Sequence, residues 1–145
     1  MTKHQLYLGL GSNLGDRERN LTETIRLIGE RIGEVVRQSS SIETEPWGFQ
    51  SDHGFMNAVI LCLTEKTPRE VLALTQQIER DLGRKKKSVD GYADRLIDID
   101  ILLYDDLHIN EPELKIPHPL MQERDFVMVP LREICLTYAD PEPSR

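Results

Sequence analysis

Residues 95–104, RLIDIDILLY, leave this chain few folds to choose from. Side chains two apart on an extended chain share a face, so a strand here has one apolar side, Ile97, Ile99 and Ile101, and one acidic side, Asp98 and Asp100. The apolar side demands a covering layer, which points to a sheet with other elements packed on it. On the acidic side the two aspartate Cα atoms lie about 6.6 Å apart at ~3.3 Å per residue, close enough for their carboxylates to converge on one or two cations. Hard oxygen donors suit Mg²⁺, which takes one or two protein carboxylates and fills its shell with water and substrate phosphate. A strand with one face in water accounts for the acids equally well.

The rest of the chain predicts what pairs with that strand. QLYLGLG (Gln5 to Gly11) is a short apolar strand entering a glycine turn, and Asp16 begins a helix with an inward stripe of Leu21, Ile25, Ile28 and Ile32. GEVVRQSSSIETE reads as a polar, edge-type strand region ending at Pro46, and FMNAVILCLTE as an apolar strand. Thr67 and Pro68 open a second helix that buries Val71, Leu72, Thr75, Ile78 and Leu82 and stops at Gly83. EPWGFQSDHG and RKKKSVDGYADR have no period and read as loops, the second of them mobile. A turn near Asp105, the segment ELKIPHPLMQERDF, a short element VMVPLREIC and a polar tail follow the acidic strand. Strand, helix, strand, strand, helix, strand is an α+β order. It predicts a ferredoxin-like split βαβ core over residues 1–145, a mostly antiparallel sheet with both helices on one face and extra C-terminal elements on the other.

Charge limits the partners. A formal net charge of −7 argues against nucleic acid or an anionic membrane as ligand, since either needs a broad positive face. Cys62 and Cys135 sit in apolar segments with no metal-ligand spacing, and read as reduced core residues. The first residues lack a signal-peptide pattern and no apolar run approaches a membrane span, so a cytoplasmic protein is expected.

Phosphate chemistry would then need a local basic cluster, and Arg84 to Lys87 with Arg95 provide one beside the acidic strand. Arg84 and Arg95 are placed to clamp a polyphosphate, with a metal on the aspartates, which is the combination phosphoryl transfer requires. The glycines of GLGSNLGDR are spaced GxGxxxG, a weak dinucleotide signal that a tight turn and a helix cap explain. Phe55 and Asn57 share a strand face and, with Trp47, Phe49 and Phe126, could form a slot for a flat heterocycle, although core packing also explains Phe55 and Phe126. His118, between two prolines, is stiffly held and could contact a nucleotide.

Taken together, LGLGSNLGDR, TEPWGFQSDHGFMNAV, QIERDLGRKKK, RLIDIDILLY and IPHPLMQERDFVMVPL resemble the 6-hydroxymethyl-7,8-dihydropterin pyrophosphokinase family from Leu6 to about Ile134. The resemblance implies transfer of the β,γ-pyrophosphoryl unit of ATP to the pterin hydroxymethyl group with release of AMP, in folate biosynthesis. It implies two Mg²⁺ ions on Asp98 and Asp100, with Arg84 and Arg95 on the phosphates. The pterin would meet Gly11, Thr44, Pro46, Trp47, Phe55 and Asn57, with Phe126 stacked opposite Phe55. Gln76, Glu79, Lys86, Lys87, Tyr92, Ile101, His118 and Arg124 fall on the ATP side. A monofunctional monomer whose loops 46–54 and 84–95 close over the substrates is expected.

Three residues depart from that pattern. Lys86 replaces an arginine of some relatives, Tyr92 stands for a loop tryptophan, and Glu113 stands where some members have a basic ATP contact. Two other classes stay open on the residues alone: a regulatory module binding a nucleotide or pterin without Mg²⁺, and a nicotinamide oxidoreductase using Gly9 to Gly15.

Overall fold

A computed structural model describes residues 3–13, 15–44, 54–82 and 97–135. The elements run β1 (His4–Ser12), α1 (Arg17–Arg31), β2 (Gly33–Gln38), β3 (Ile42–Thr44), β4 (Phe55–Thr64), α2 (Pro68–Asp81) and β5 (Asp98–Tyr104). A hairpin of β6 (Ile109–Glu111) and β7 (Leu114–Ile116), a 3₁₀ turn (Met121–Glu123) and α3 (Asp125–Ile134) follow. The main sheet has the order β2-β4-β1-β5, with β3 also on β4, and every pairing is antiparallel. That is the α+β split βαβ arrangement. The two helices sit between the strands as the order predicts.

Local chemistry fixes both helix starts. The Asp16 carboxylate accepts the Arg19 N–H ahead of α1. Thr67 and Glu70 form a reciprocal capping box on α2, whose first residue is Pro68. Leu21, Ile28 and Ile32 are buried as the period predicts, with Thr24 and Leu27 beside them, while Ile25 lies at the margin. On α2 the buried set is Val71, Thr75, Ile78 and Glu79, with Leu72 and Leu82 partly covered. At the α1 to β2 turn a side chain is impossible at position 33, where a Cβ would stand 2.1 Å from the Leu63 carbonyl oxygen.

Both sheet faces are covered. Leu6, Leu8 and Leu10 of β1, Ile60 of β4, and Ile99 and Ile101 of β5 pack under α1 and α2. Tyr7, Val59, Leu61 and Leu102 point the other way, against Met121, Val127, Met128 and Leu131 of the C-terminal elements. The element VMVPLREIC belongs to α3, which carries Pro130 inside it. A proline there gives up one helical hydrogen bond, and the burial of its ring accompanies that loss. No helix among the described residues is long and apolar enough to cross a membrane.

Four features go beyond the sequence reading or differ from it. The acidic strand β5 lies at the end of the sheet and pairs only with β1 among the described residues. Its register shifts opposite Tyr7 and Leu8, where Tyr7 faces Leu103 and Leu8 faces Ile101. Leu102 is therefore the extra residue of a bulge, which turns both Leu102 and Leu103 to the α3 side and returns Tyr104 to the α1/α2 side. Gly9 and Gly11 lie within β1 instead of a strand-to-helix turn, and β1 has antiparallel neighbours on both sides, so the parallel unit of a dinucleotide-binding fold is not built here. The edge-type region GEVVRQSSSIETE divides into β2 and β3. Gly83, Trp47, Phe49 and the polar tail lie outside the described residues.

Candidate active site

The register of β1 assembles the site. Gly11 is paired with Asn57 on one side and Asp98 on the other, and Gly9 with Val59 and Asp100. Residues directly opposite one another project from the same face, so Asn57, Gly11 and Asp98 form one row and Val59, Gly9 and Asp100 the next. Both aspartates thus leave the sheet on the face opposite Ile99 and Ile101, as the period of two requires. They are half-buried.

Gly11 leaves that row open. A Cβ at this position would come 3.0 Å from Asn57 Oδ1 and 3.5 Å from Phe55 Cδ1. The amide of Asn57, itself 6% exposed, and the edge of the Phe55 ring therefore lean over bare backbone. An aromatic ring beside a fixed amide can hold a planar heterocycle by stacking and by donor and acceptor contacts at its rim. Phe55 is paired in register with Thr44.

Beyond β5 a cleft of about 400 Å³ opens along its outer edge, between α2 and the β6–β7 hairpin. Gln76 and Glu79 of α2, Asp98, Asp100 and Ile101 of β5, and His118 line it. A strand at the end of a sheet carries unpaired backbone groups, and two neighbours satisfy them here. Glu79 is 6% exposed and its Oε2 accepts the Ile99 N–H at 2.7 Å, between the two aspartates. The His118 N–H donates to the Leu102 carbonyl at 3.0 Å. Glu79 thus holds the strand from which the aspartates project.

The His118 ring has its pKa pushed down, chiefly by burial and then by the nearby Arg124 cation, while Asp98 pulls it the other way. Its Nδ1 accepts the Leu120 N–H at 3.3 Å, which leaves the proton of the neutral ring on Nε2. Arg124, at the cap of α3, lies with its guanidinium carbon 5.6 Å from the centre of the Phe126 ring. Phe126 is half-buried and packs partly on the α3 side of the core.

The structure therefore brings Asp98, Asp100, Gln76, Glu79, Ile101 and His118 to one cleft, and Gly11, Phe55 and Asn57 to the adjoining row. Thr44 contributes its strand position through the pairing with Phe55. Pro46, Trp47, Arg84, Lys86, Lys87, Tyr92 and Arg95, with most of the two loops expected to close, lie outside the described residues. Glu113, at the cleft wall, is paired with Arg69 of α2 at 2.5 Å, and that guanidinium holds its carboxyl below the usual range. Arg69 also pairs with Glu111. Sequence reasoning missed this partner because nothing local links residues 69 and 113.

Comparison with known proteins bears on the family and the fold. The model of the 7,8-dihydro-6-hydroxymethylpterin-pyrophosphokinase (HPPK) family matches residues 7–136. The 2-amino-4-hydroxy-6-hydroxymethyldihydropteridine pyrophosphokinase of Porphyromonas gingivalis is 49% identical over 132 residues, covering 90% of each chain. The Bacillus subtilis protein of the same name is 42% identical over 130 residues, covering 89% of this chain and 77% of that one. Among solved structures, Plasmodium falciparum HPPK-DHPS with pterin and p-hydroxybenzoate superposes with a TM-score of 0.73 at 16% identity, over 92% of this chain. An HPPK-DHPS solved in complex with substrates gives a TM-score of 0.73 at 13% identity. This chain spans about 40% of the length of either, and at such identities the likeness concerns the fold. On the family match and the identity to its curated relatives, the chain belongs to the 7,8-dihydro-6-hydroxymethylpterin-pyrophosphokinase family.

Proposed function

We propose that this protein transfers the terminal diphosphate of ATP to the hydroxymethyl oxygen of 6-hydroxymethyl-7,8-dihydropterin, releasing AMP, as a step of folate biosynthesis. The pterin hydroxyl oxygen forms a bond to the β-phosphorus, the bond from that phosphorus to the α,β-bridging oxygen breaks, and the hydroxyl proton passes to solvent. The observation that carries this reading is the single row of Asn57, Gly11 and Asp98. It sets a face suited to a flat, hydrogen-bonding ring beside a carboxylate suited to a phosphate-bound cation. In this family such a pairing has an evident use.

Catalysis on this reading is positioning and charge neutralisation. Phe55 and Asn57 seat the pterin with Gly11, Thr44, Pro46 and Trp47, and Phe126 stacks on the opposite side of the ring. Gln76, Glu79, Ile101, His118 and Arg124 border the nucleotide, and Arg84, Lys86, Lys87, Tyr92 and Arg95 supply the phosphate and nucleotide contacts that the family resemblance gives them. The donor set fits Mg²⁺: two half-buried carboxylates two residues apart, with Glu79 beside them turned to the Ile99 amide. Asp98 and Asp100 would hold two ions against the phosphates. Bound there, Mg²⁺ offsets phosphate charge and lowers the pKa of the attacking hydroxyl.

On the same reading the enzyme works as a cytoplasmic monomer on two small molecules, with no nucleic-acid or membrane partner, which the net charge of −7 favours. The test is AMP formation, followed by HPLC, that depends on the added hydroxymethylpterin. Asp98→Ala and Asp100→Ala should each abolish it while the circular dichroism spectrum is kept. Wild-type turnover in either variant would falsify the metal assignment, and AMP release that ignores the pterin would rule out the transfer itself.

A further inference from the structure

The motif GSNLGDR ends in a residue that the reading above does not use. Arg17 is the first residue of α1, directly after the Asp16 cap, and its side chain is 26% exposed. Its guanidinium points away from the helix and makes two contacts with the sheet. Nη1 donates to the Gly54 carbonyl at 2.8 Å, and Nη2 pairs with Glu43 Oε2 at 2.5 Å.

Those two partners have a specific place. Glu43 immediately precedes Thr44, the last residue of β3, and Gly54 immediately precedes Phe55, the first residue of β4. Thr44 and Phe55 are paired with each other at the end of the β3–β4 ladder. One guanidinium thus grips both strands one residue before the pair, and ties them to the start of α1. β3 has three residues and pairs only with β4 among the described residues, so its own ladder gives it little hold. The planar fork of arginine delivers two directed hydrogen bonds at once, which an ammonium cannot.

We infer that Arg17 is a positioning residue for the pterin face: it fixes the β3–β4 end so that Phe55 and Asn57 meet the ring over Gly11. It does not touch the reacting atoms. The effect of its loss belongs to ring binding and leaves the nucleotide cleft on the far side of β5 undisturbed. This inference rests on the pterin reading of the site.

The test uses the full chain with Arg17→Met, which keeps the length of the stem, and Arg17→Lys, which keeps the charge but one donor direction. Binding of 6-hydroxymethylpterin and of a non-hydrolysable ATP analogue is measured separately by calorimetry, alongside the steady-state constants and the melting temperature. Arg17→Met should weaken pterin binding about tenfold, the order expected for losing a charge-assisted contact, with KM for the pterin rising likewise. Arg17→Lys should fall between that variant and wild type. The ATP-analogue affinity and kcat should stay within about threefold of wild type, because uniform ring binding and not the transition state is altered. Wild-type pterin affinity in Arg17→Met overturns the inference. So does an equal loss of pterin and nucleotide affinity with a lowered melting temperature, which marks a role in folding alone. A wild-type protein that binds the nucleotide but no pterin overturns the functional reading instead.

Discussion

Gly11→Ala perturbs the pterin face by a single methyl group. Gly11 lies inside β1 with no left-handed backbone angle, so the chain accepts a Cβ there without strain. The cost is contact: the new carbon meets Asn57 Oδ1 at 3.0 Å, closer than ordinary van der Waals packing, and Phe55 Cδ1 at 3.5 Å. Asn57 must move by a few tenths of an ångström while the ring of Phe55 stays in normal contact. Two stability terms oppose each other, overpacking at about 1–3 kcal/mol against roughly 0.5–1 kcal/mol recovered from the flexibility of an unfolded glycine. Their difference, at most about 2.5 kcal/mol, corresponds to a fall of about 10 °C or less in melting temperature. Binding has no such compensation. The methyl group takes the ring's seat and turns the amide from its partner, and one misaligned recognition group costs about 1–3 kcal/mol, a factor of roughly 5 to 150 in Kd. Calorimetry should show that loss for 6-hydroxymethylpterin and an unchanged affinity for a non-hydrolysable ATP analogue. An alanine variant that binds the pterin like wild type, or that loses both ligands together, refutes the placement of the ring over Gly11.

Three further outcomes follow from the same geometry. Glu79→Gln keeps a carbonyl acceptor for the Ile99 N–H and should retain most turnover, whereas Glu79→Ala leaves that amide without this acceptor at about 1–3 kcal/mol; amide exchange at Ile99, read by NMR, should speed up in the alanine variant alone. Thr67→Ala removes the α2 capping box and should cost about 1 kcal/mol, seen as a melting temperature lower by roughly 2–4 °C with AMP formation intact. Burial pushes the Cys62 thiol from 9.0 up to about 12. The native state therefore keeps a proton that the unfolded chain gives up, and stability present below pH 9 is lost as the pH rises toward 12. Cys62→Val should flatten that alkaline loss in denaturant titrations at pH 8 and 10.5, and in wild type the thiol should resist alkylation until the protein unfolds.

Much of the site was legible from local pattern. A period of two separated Asp98 and Asp100 from Ile97, Ile99 and Ile101, and put Phe55 with Asn57, because side-chain direction on a strand depends only on neighbouring residues. Caps at Asp16 and Thr67 marked helix starts, since a cap is a hydrogen bond within one turn. The charge at Glu113 was legible, but its pairing with Arg69 was not.

Sequence alone determined which residues of a strand share a face, where the first two helices begin, and that the acidic strand follows a run of cations in the chain; each is a short-range property of the covalent chain. Tertiary structure alone decided that β5 ends the sheet, that a bulge at Leu102 switches its facing, that Glu79 turns inward to the Ile99 amide, and that Gly11 leaves room between Asn57 and Asp98. Those are matters of register between segments far apart in the chain. Register is set by burying two opposed apolar faces at once, a condition no single segment contains.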